Sequence, residues 1–110
     1  AVAALEEAGA RVHRVPRAAD GLSLEAILAI CWDQELRSIF CEGGGRLAST
    51  LIREGRVQRL YLFVAPFVLG TKGVPAFPDT DTKELWEGVT PLDPPGLFGR
   101  DALLTFDWTD

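Results

Sequence analysis

The 110-residue chain predicts an α/β fold with a mixed, mostly parallel sheet flanked by helices. Three observations lead there. Ser38-Ile39-Phe40-Cys41 is an apolar run, and Glu42, three glycines and a helical pattern from Arg46 follow it in the order strand, tight turn, helix. Leu60-Tyr61-Leu62-Phe63-Val64-Ala65 is apolar at every position, the pattern of a strand buried on both faces and central in its sheet. Two strands joined through a helix by short connections form a β-α-β unit with a right-handed crossover. Hydrophobic residues make up 47% of the chain and charged residues 25%, which suits one small globular domain and argues against disorder.

The elements follow in order. Ala1 to Gly9 reads as the end of a helix stopped by a C′ glycine. Ala10 to Pro16 alternates and reads as a short strand, then Arg17 to Gly21 as a turn. Ser23 is placed to N-cap a helix running to about Gln34. Leu24, Ile27, Leu28 and Cys31 form one stripe on it, and Glu25 favours its first turn. A strand over Ser38–Cys41 comes next, then a helix from Arg46 to Glu54 with Leu47 and Leu51 on one face and Gly55 closing it. After the strand at Leu60–Ala65, residues 70–96 hold Pro75, Pro78, Pro91, Pro94 and Pro95, a long loop region with one helical turn near Thr82–Trp86. Asp101 to Trp108 reads as the last strand. The chain has no Met. Loss of an initiator before Ala1 accounts for this, and so does a fragment of a longer polypeptide.

Composition narrows the function. A net charge of −5 argues against nucleic acid or an anionic membrane as partner. There is no run of 18 apolar residues and no signal-peptide pattern at the start, so a cytoplasmic protein is expected. Cys31 and Cys41 lack CxxC spacing and read as buried, reduced thiols, and no metal site is expected. His13 is the sole histidine and has no nucleophile signature to serve, so it reads as structural. The strongest candidate site is the glycine turn. Glycine lets a phosphate approach the backbone, and a helix start offers free N–H groups and partial positive charge. Neither familiar phosphate motif is met. Counting from Gly43, the sixth position of GxGxxG is Ala48, and no Gly-Lys-Ser/Thr occurs. A turn that merely needs positive φ remains the alternative. Glu42 reads as an acceptor for substrate hydroxyls at the carboxyl end of the sheet, or as a cap for neighbouring N–H groups. Arg46 reads equally as a phosphate partner or a solvated helix residue, and Lys72 as turn decoration. Asp79, Asp81 and Glu84 match no metal-ligand spacing and read as a solvated loop.

These residues together resemble a known family. Phe40-Cys41-Glu42-Gly43-Gly44-Gly45-Arg46-Leu47-Ala48, Arg53-Glu54-Gly55-Arg56-Val57, the strand ending Ala65-Pro66, Val68-Leu69-Gly70 and Gly99-Arg100-Asp101-Ala102-Leu103-Leu104 are similar to the reductase domain of the bifunctional riboflavin-biosynthesis deaminase/reductase. The resemblance covers about residues 23–107 and is specific in combination. It implies a dihydrofolate-reductase-like fold, of which this chain would be the C-terminal part. It also implies NADPH-dependent reduction of a phosphoribosylamino-pyrimidine, 5-amino-6-(5-phosphoribosylamino)uracil, to its ribitylamino form. By the family's motif Glu42 would bind substrate near the ribose chain. Gly43, Gly44, Gly45, Arg46, Leu47, Ala48, Ser49 and Thr50 would hold the NADPH pyrophosphate. No catalytic residue is assigned. A zinc deaminase domain fused upstream is the implied partner, and a homodimer or higher species is expected because a sheet missing its first-half strands exposes unpaired edges and apolar surface. The resemblance implies that the domain's first half and the deaminase are missing from this chain, and Gln58 and Arg59 stand where the family's acidic residues are usual. Without that first half, the isolated chain is expected to be catalytically silent and associated. The alternatives are a related reductase acting on a pterin or folate-like substrate, and a non-catalytic nucleotide-binding or subunit-interaction module.

Overall fold

The computed structural model describes residues 1–78, 80–92 and 94–108, and for Thr82 and Glu84 the backbone alone. The chain divides into two compact units, Ala1–Phe40 and Cys41–Asp110.

The first unit holds α1 (Val2–Glu7), the two-residue strands β1 (Arg17–Ala18) and β2 (Gly21–Leu22), and α2 (Leu24–Asp33). Gly9 stops α1 at φ 88°, with its N–H bonded to the Glu6 carbonyl and that of Ala10 to Leu5. The strand expected over Ala10–Pro16 is not formed, and His13 there is exposed. Pairing falls where a turn was expected, Arg17 opposite Leu22 and Ala18 opposite Gly21, around Ala19-Asp20. Gly21 makes this tight reversal possible, since its φ of 135° is open to glycine alone. Ser23 caps α2 as expected, its Oγ accepting from the Ala26 N–H at 3.2 Å. Leu24 is buried, with Ile27, Leu28 and Cys31 half-buried on the same stripe. The helix ends in the same double hydrogen bond as α1, Glu35 N–H to Trp32 and Leu36 N–H to Cys31. Here the left-handed position is Glu35, at φ 63°, where α1 uses glycine.

The second unit holds α3 (Gly45–Arg53), β3 (Arg59–Val64), a 3₁₀ turn (Gly70–Lys72), α4 (Thr82–Trp86), β4 (Thr90–Pro91), β5 (Gly96–Phe98) and β6 (Asp101–Asp107). The mostly parallel sheet expected from the sequence is not what forms. Every strand pair among the described residues is antiparallel. β6 is the central strand, with β3 along one edge and β4 and β5 along the other. The expected β-α-β unit fails because its first strand is not formed: Ser38–Cys41 has no ladder partner among the described residues, and the division between units falls after Phe40. β3 lies beside β6 alone among the described strands, not at the sheet centre. β5 and β6 are joined by Gly99-Arg100, with Gly99 at φ 61° as the first position of a type II′ hairpin requires. Pro91, which lacks an N–H, sits where a proline is tolerated, on the short outer strand β4.

The register sorts the sheet's two faces. Leu60, Leu62, Leu104 and Phe106 share one face, on which Trp86 of α4 packs against Phe106 at 4.8 Å between ring centroids. Tyr61, Phe63, Leu103 and Thr105 share the other, which carries Phe98 edge-on to Phe63 at 5.6 Å. This second face is open, with Phe63 56% exposed. The all-apolar run therefore belongs to a strand covered on one side only. At the far end Arg59 and Asp107 lie opposite each other and form a bidentate pair, Nε to Oδ1 at 2.7 Å and Nη2 to Oδ2 at 2.9 Å. Arg59, where acidic residues were expected, thus meets a carboxylate across the ladder. That hydrogen-bonded pairing holds the Asp107 carboxyl below its usual range and the guanidinium charged.

Candidate functional site

The glycine turn is built on α3. This nine-residue helix buries Ser49 and Ile52, with Gly45 and Ala48 half-buried, at i, i+3, i+4 and i+7. The expected face of Leu47 and Leu51 is rotated away: Leu47 is exposed and Leu51 only half-buried. A stripe of small residues wins because α3 packs against α4, where Leu85 is 3% exposed, and close approach needs small side chains. Gly55 ends the helix at φ 66°, its N–H bonding Ile52 and that of Arg56 bonding Leu51.

The three glycines differ in what surrounds them. A Cβ on Gly43 would meet Leu47 Cδ2 at 2.7 Å, the end of a flexible side chain. A Cβ on Gly44 would meet nothing within 4 Å. A Cβ on Gly45 would run into the Ala76 carbonyl oxygen, with the Ala76 carbonyl carbon and Pro78 Cδ both at 3.0 Å. Gly45 is thus required by backbone packing, and Gly44 is the glycine with open space before it. Gly44 is also the N-cap of α3, at φ −64° and ψ 172°, and no side chain of the described residues caps the helix. By contrast, Ser23 caps α2. The first-turn N–H groups of α3, at Gly45, Arg46 and Leu47, have no acceptor within the helix. Together with the helix dipole they can receive an anion.

The residues expected to hold a cofactor therefore divide. Gly43, Gly44, Arg46 and Leu47 are exposed around the helix start. Gly45, Ala48 and Ser49 turn toward the protein. Thr50 is half-buried, its Oγ1 donating to the Arg46 carbonyl at 2.9 Å and accepting from Arg53 Nη2 at 3.3 Å. Ser49 is 1% exposed, and its Oγ has no hydrogen-bond partner among the described residues. Glu42 precedes the turn, is exposed, and has no ion-pair or side-chain hydrogen-bond partner among the described residues. It is thus available to a ligand and caps nothing described.

The remaining candidates gather no chemistry. Asp81 is the N-cap of α4, its Oδ1 accepting from the Lys83 N–H at 2.9 Å. Asp79 and the side chain of Glu84 lie outside the described residues. No group of three or more His, Cys, Asp and Glu able to hold a metal occurs among the described residues. Lys72 closes the 3₁₀ turn and is exposed. Cys31 and Cys41 are free thiols, and Cys41 is exposed where a buried one was expected. No helix of the described residues is long and apolar enough to cross a membrane.

The loop behind the turn carries no chemical motif, and in sequence Pro75, Phe77 and Pro78 are only part of a proline-rich region. The signal available there is a ring followed directly by Pro78 with Pro75 two residues before it, because such a stiff segment can be held in one place by a single aromatic contact. Phe77 makes that contact edge-on with Trp86 at 6.4 Å.

Comparison with known families places these features. The family model described as the RibD C-terminal domain matches residues 2–92. The match spans both units and includes Glu42, the glycine turn and the loop behind it.

Proposed function

This chain belongs to the RibD C-terminal domain family, and from that premise we propose that it serves an NADPH-dependent reduction of 5-amino-6-(5-phosphoribosylamino)uracil to its ribitylamino form. The family's domain is the reductase of riboflavin biosynthesis. One observation carries the cofactor's part of the reading: among the described residues no side chain caps the N-terminus of α3, and none of their atoms stands within 4 Å of a would-be Cβ on Gly44. A pyrophosphate fits that donor set, since it brings several oxygens and a negative charge to unpaired N–H groups. Bound NADPH would supply the hydride, delivered to the sugar carbon of the open-chain imine. The chain's own residues bind and orient. The first-turn N–H groups of α3 and the exposed Arg46 hold phosphate oxygens. The Glu42 carboxylate accepts hydrogen bonds from the substrate's polyol hydroxyls and fixes that end of the chain.

Two variants of the full-length protein test this. Gly44→Val brings a branched side chain into the approach, and calorimetry should show NADPH affinity reduced at least about tenfold, or about 1.4 kcal/mol. Glu42→Gln keeps the shape and removes the charge, so kcat/KM should fall strongly while Tm stays within about 1 °C. Unchanged NADPH affinity in the first variant, or equal losses of stability and activity in the second, would reject the assignment. The reading includes a homodimer. Its support is the open apolar face of Tyr61, Phe63 and Phe98 and the position of β3, paired with β6 alone among the described strands. Light scattering that gives a monomer mass would remove that part.

A further inference from the structure

We propose that Phe77 and Trp86 are positioning residues for the glycine turn, holding the Ala76–Pro78 loop against Gly45 and so setting the direction of the first N–H groups of α3. The inference rests on the reading of that turn as the pyrophosphate site. It starts from the contact at Gly45, where the Ala76 carbonyl and Pro78 Cδ occupy the space a side chain would need. The contact is backbone against backbone, so no flexible side chain absorbs a shift of the loop.

The loop is anchored through three rings. Phe106 is in the middle strand β6, opposite Leu60 on one side and Pro91 on the other. Trp86 packs on Phe106 at 4.8 Å with 61° between ring planes, and Phe77 packs on Trp86 at 6.4 Å and 81°. Trp86 is the last residue of α4, which packs against α3. Thr80 Oγ1 donates to the Pro78 carbonyl at 3.1 Å and closes the loop's outgoing end. The line from sheet to turn is therefore Phe106, Trp86, Phe77, Ala76, Gly45. Hydrogen bonds to an oxyanion weaken steeply with misalignment, so the direction of the first turn matters to a phosphate more than to the fold. Loss of a ring should loosen the loop and the turn together.

The test uses the full-length protein and reads NADPH affinity separately from the KM of the pyrimidine substrate. Trp86→Leu should raise the Kd for NADPH about tenfold and leave the substrate KM within about twofold, while Trp86→Phe should restore the affinity. Phe77→Leu should move the Kd in the same direction, and it decides the matter if Trp86→Leu does not fold. In a double-mutant cycle with Gly45→Ala the losses should be less than additive, because both changes act on one contact. Unchanged NADPH affinity in both ring variants, with Gly44→Val still weakening NADPH, overturns the positioning role and leaves the pyrophosphate reading standing. Unchanged affinity in Gly44→Val as well overturns both. A proportional rise of Kd and KM in the ring variants marks a general structural lesion and also overturns the role.

Discussion

Replacing Gly45 by alanine, with Gly44→Ala as its control, separates packing from ligand access at adjacent positions. At Gly45 the new methyl would collide with the Ala76 carbonyl oxygen and stand 3.0 Å from Pro78 Cδ. Both obstacles belong to backbone or to a proline ring, so neither can rotate away. Overpacking of this kind costs about 1–3 kcal/mol. The gain from removing a glycine near a helix start offsets up to about 1 kcal/mol of that. The net loss should be about 1–2 kcal/mol, a fall in Tm of roughly 4–16 °C for a domain of this size. At Gly44 the methyl enters open space at a φ any residue adopts, so the change should stay within about 0.5 kcal/mol. Thermal melts followed by circular dichroism, with urea titrations for the free energies, measure both. A Gly45→Ala protein as stable as the parent would refute the close contact between the turn and the Ala76–Pro78 loop.

Two other outcomes are expected. Glu35→Gly should stabilise the protein by about 0.5–1 kcal/mol, because glycine removes the left-handed strain at φ 63° and gives back only part of that in chain entropy; a lower urea midpoint would contradict this. The Arg59–Asp107 pair should weaken in acid. Asp107 is held below its usual range when folded, so its contribution is complete above the unfolded carboxylate value of about 3.9 and is lost as pH falls through the lower folded value. The Tm difference between the parent and Asp107→Asn should therefore be constant above about pH 5 and close up below about pH 4; a difference that does not change with pH would show that the pair has no linked proton.

Local rules were legible where the determining atoms lie within a few residues of each other. The Ser23 cap, the glycine stops at Gly9 and Gly55, the short helix at Thr82–Trp86 and the strand at Asp101–Asp107 follow from such neighbours, and all occur. The glycine turn was visible for the same reason, since Gly43 to Gly45 and the start of α3 are contiguous. Pairing was not legible. Leu60 to Ala65 carries no mark of which strand it joins or in which direction, and its apolar pattern suits a central parallel strand as well as an antiparallel one with an open face. Nor could the sequence separate the roles of the three glycines, because Gly45 answers to Ala76 and Pro78, which are distant in the chain.

Neighbours along the chain thus account for where the helices start and stop, for the phosphate-compatible turn, and for the likeness to a reductase domain of riboflavin biosynthesis. Three things came only from contacts between distant segments: the antiparallel order around β6, the inward stripe of Gly45, Ala48, Ser49 and Ile52, and the ring-held loop that leaves Gly44 open. The reason is physical. Capping and turn energies depend on backbone groups three to five residues apart, whereas strand partners and buried faces depend on which remote surfaces meet, and many pairings satisfy the same hydrophobic pattern.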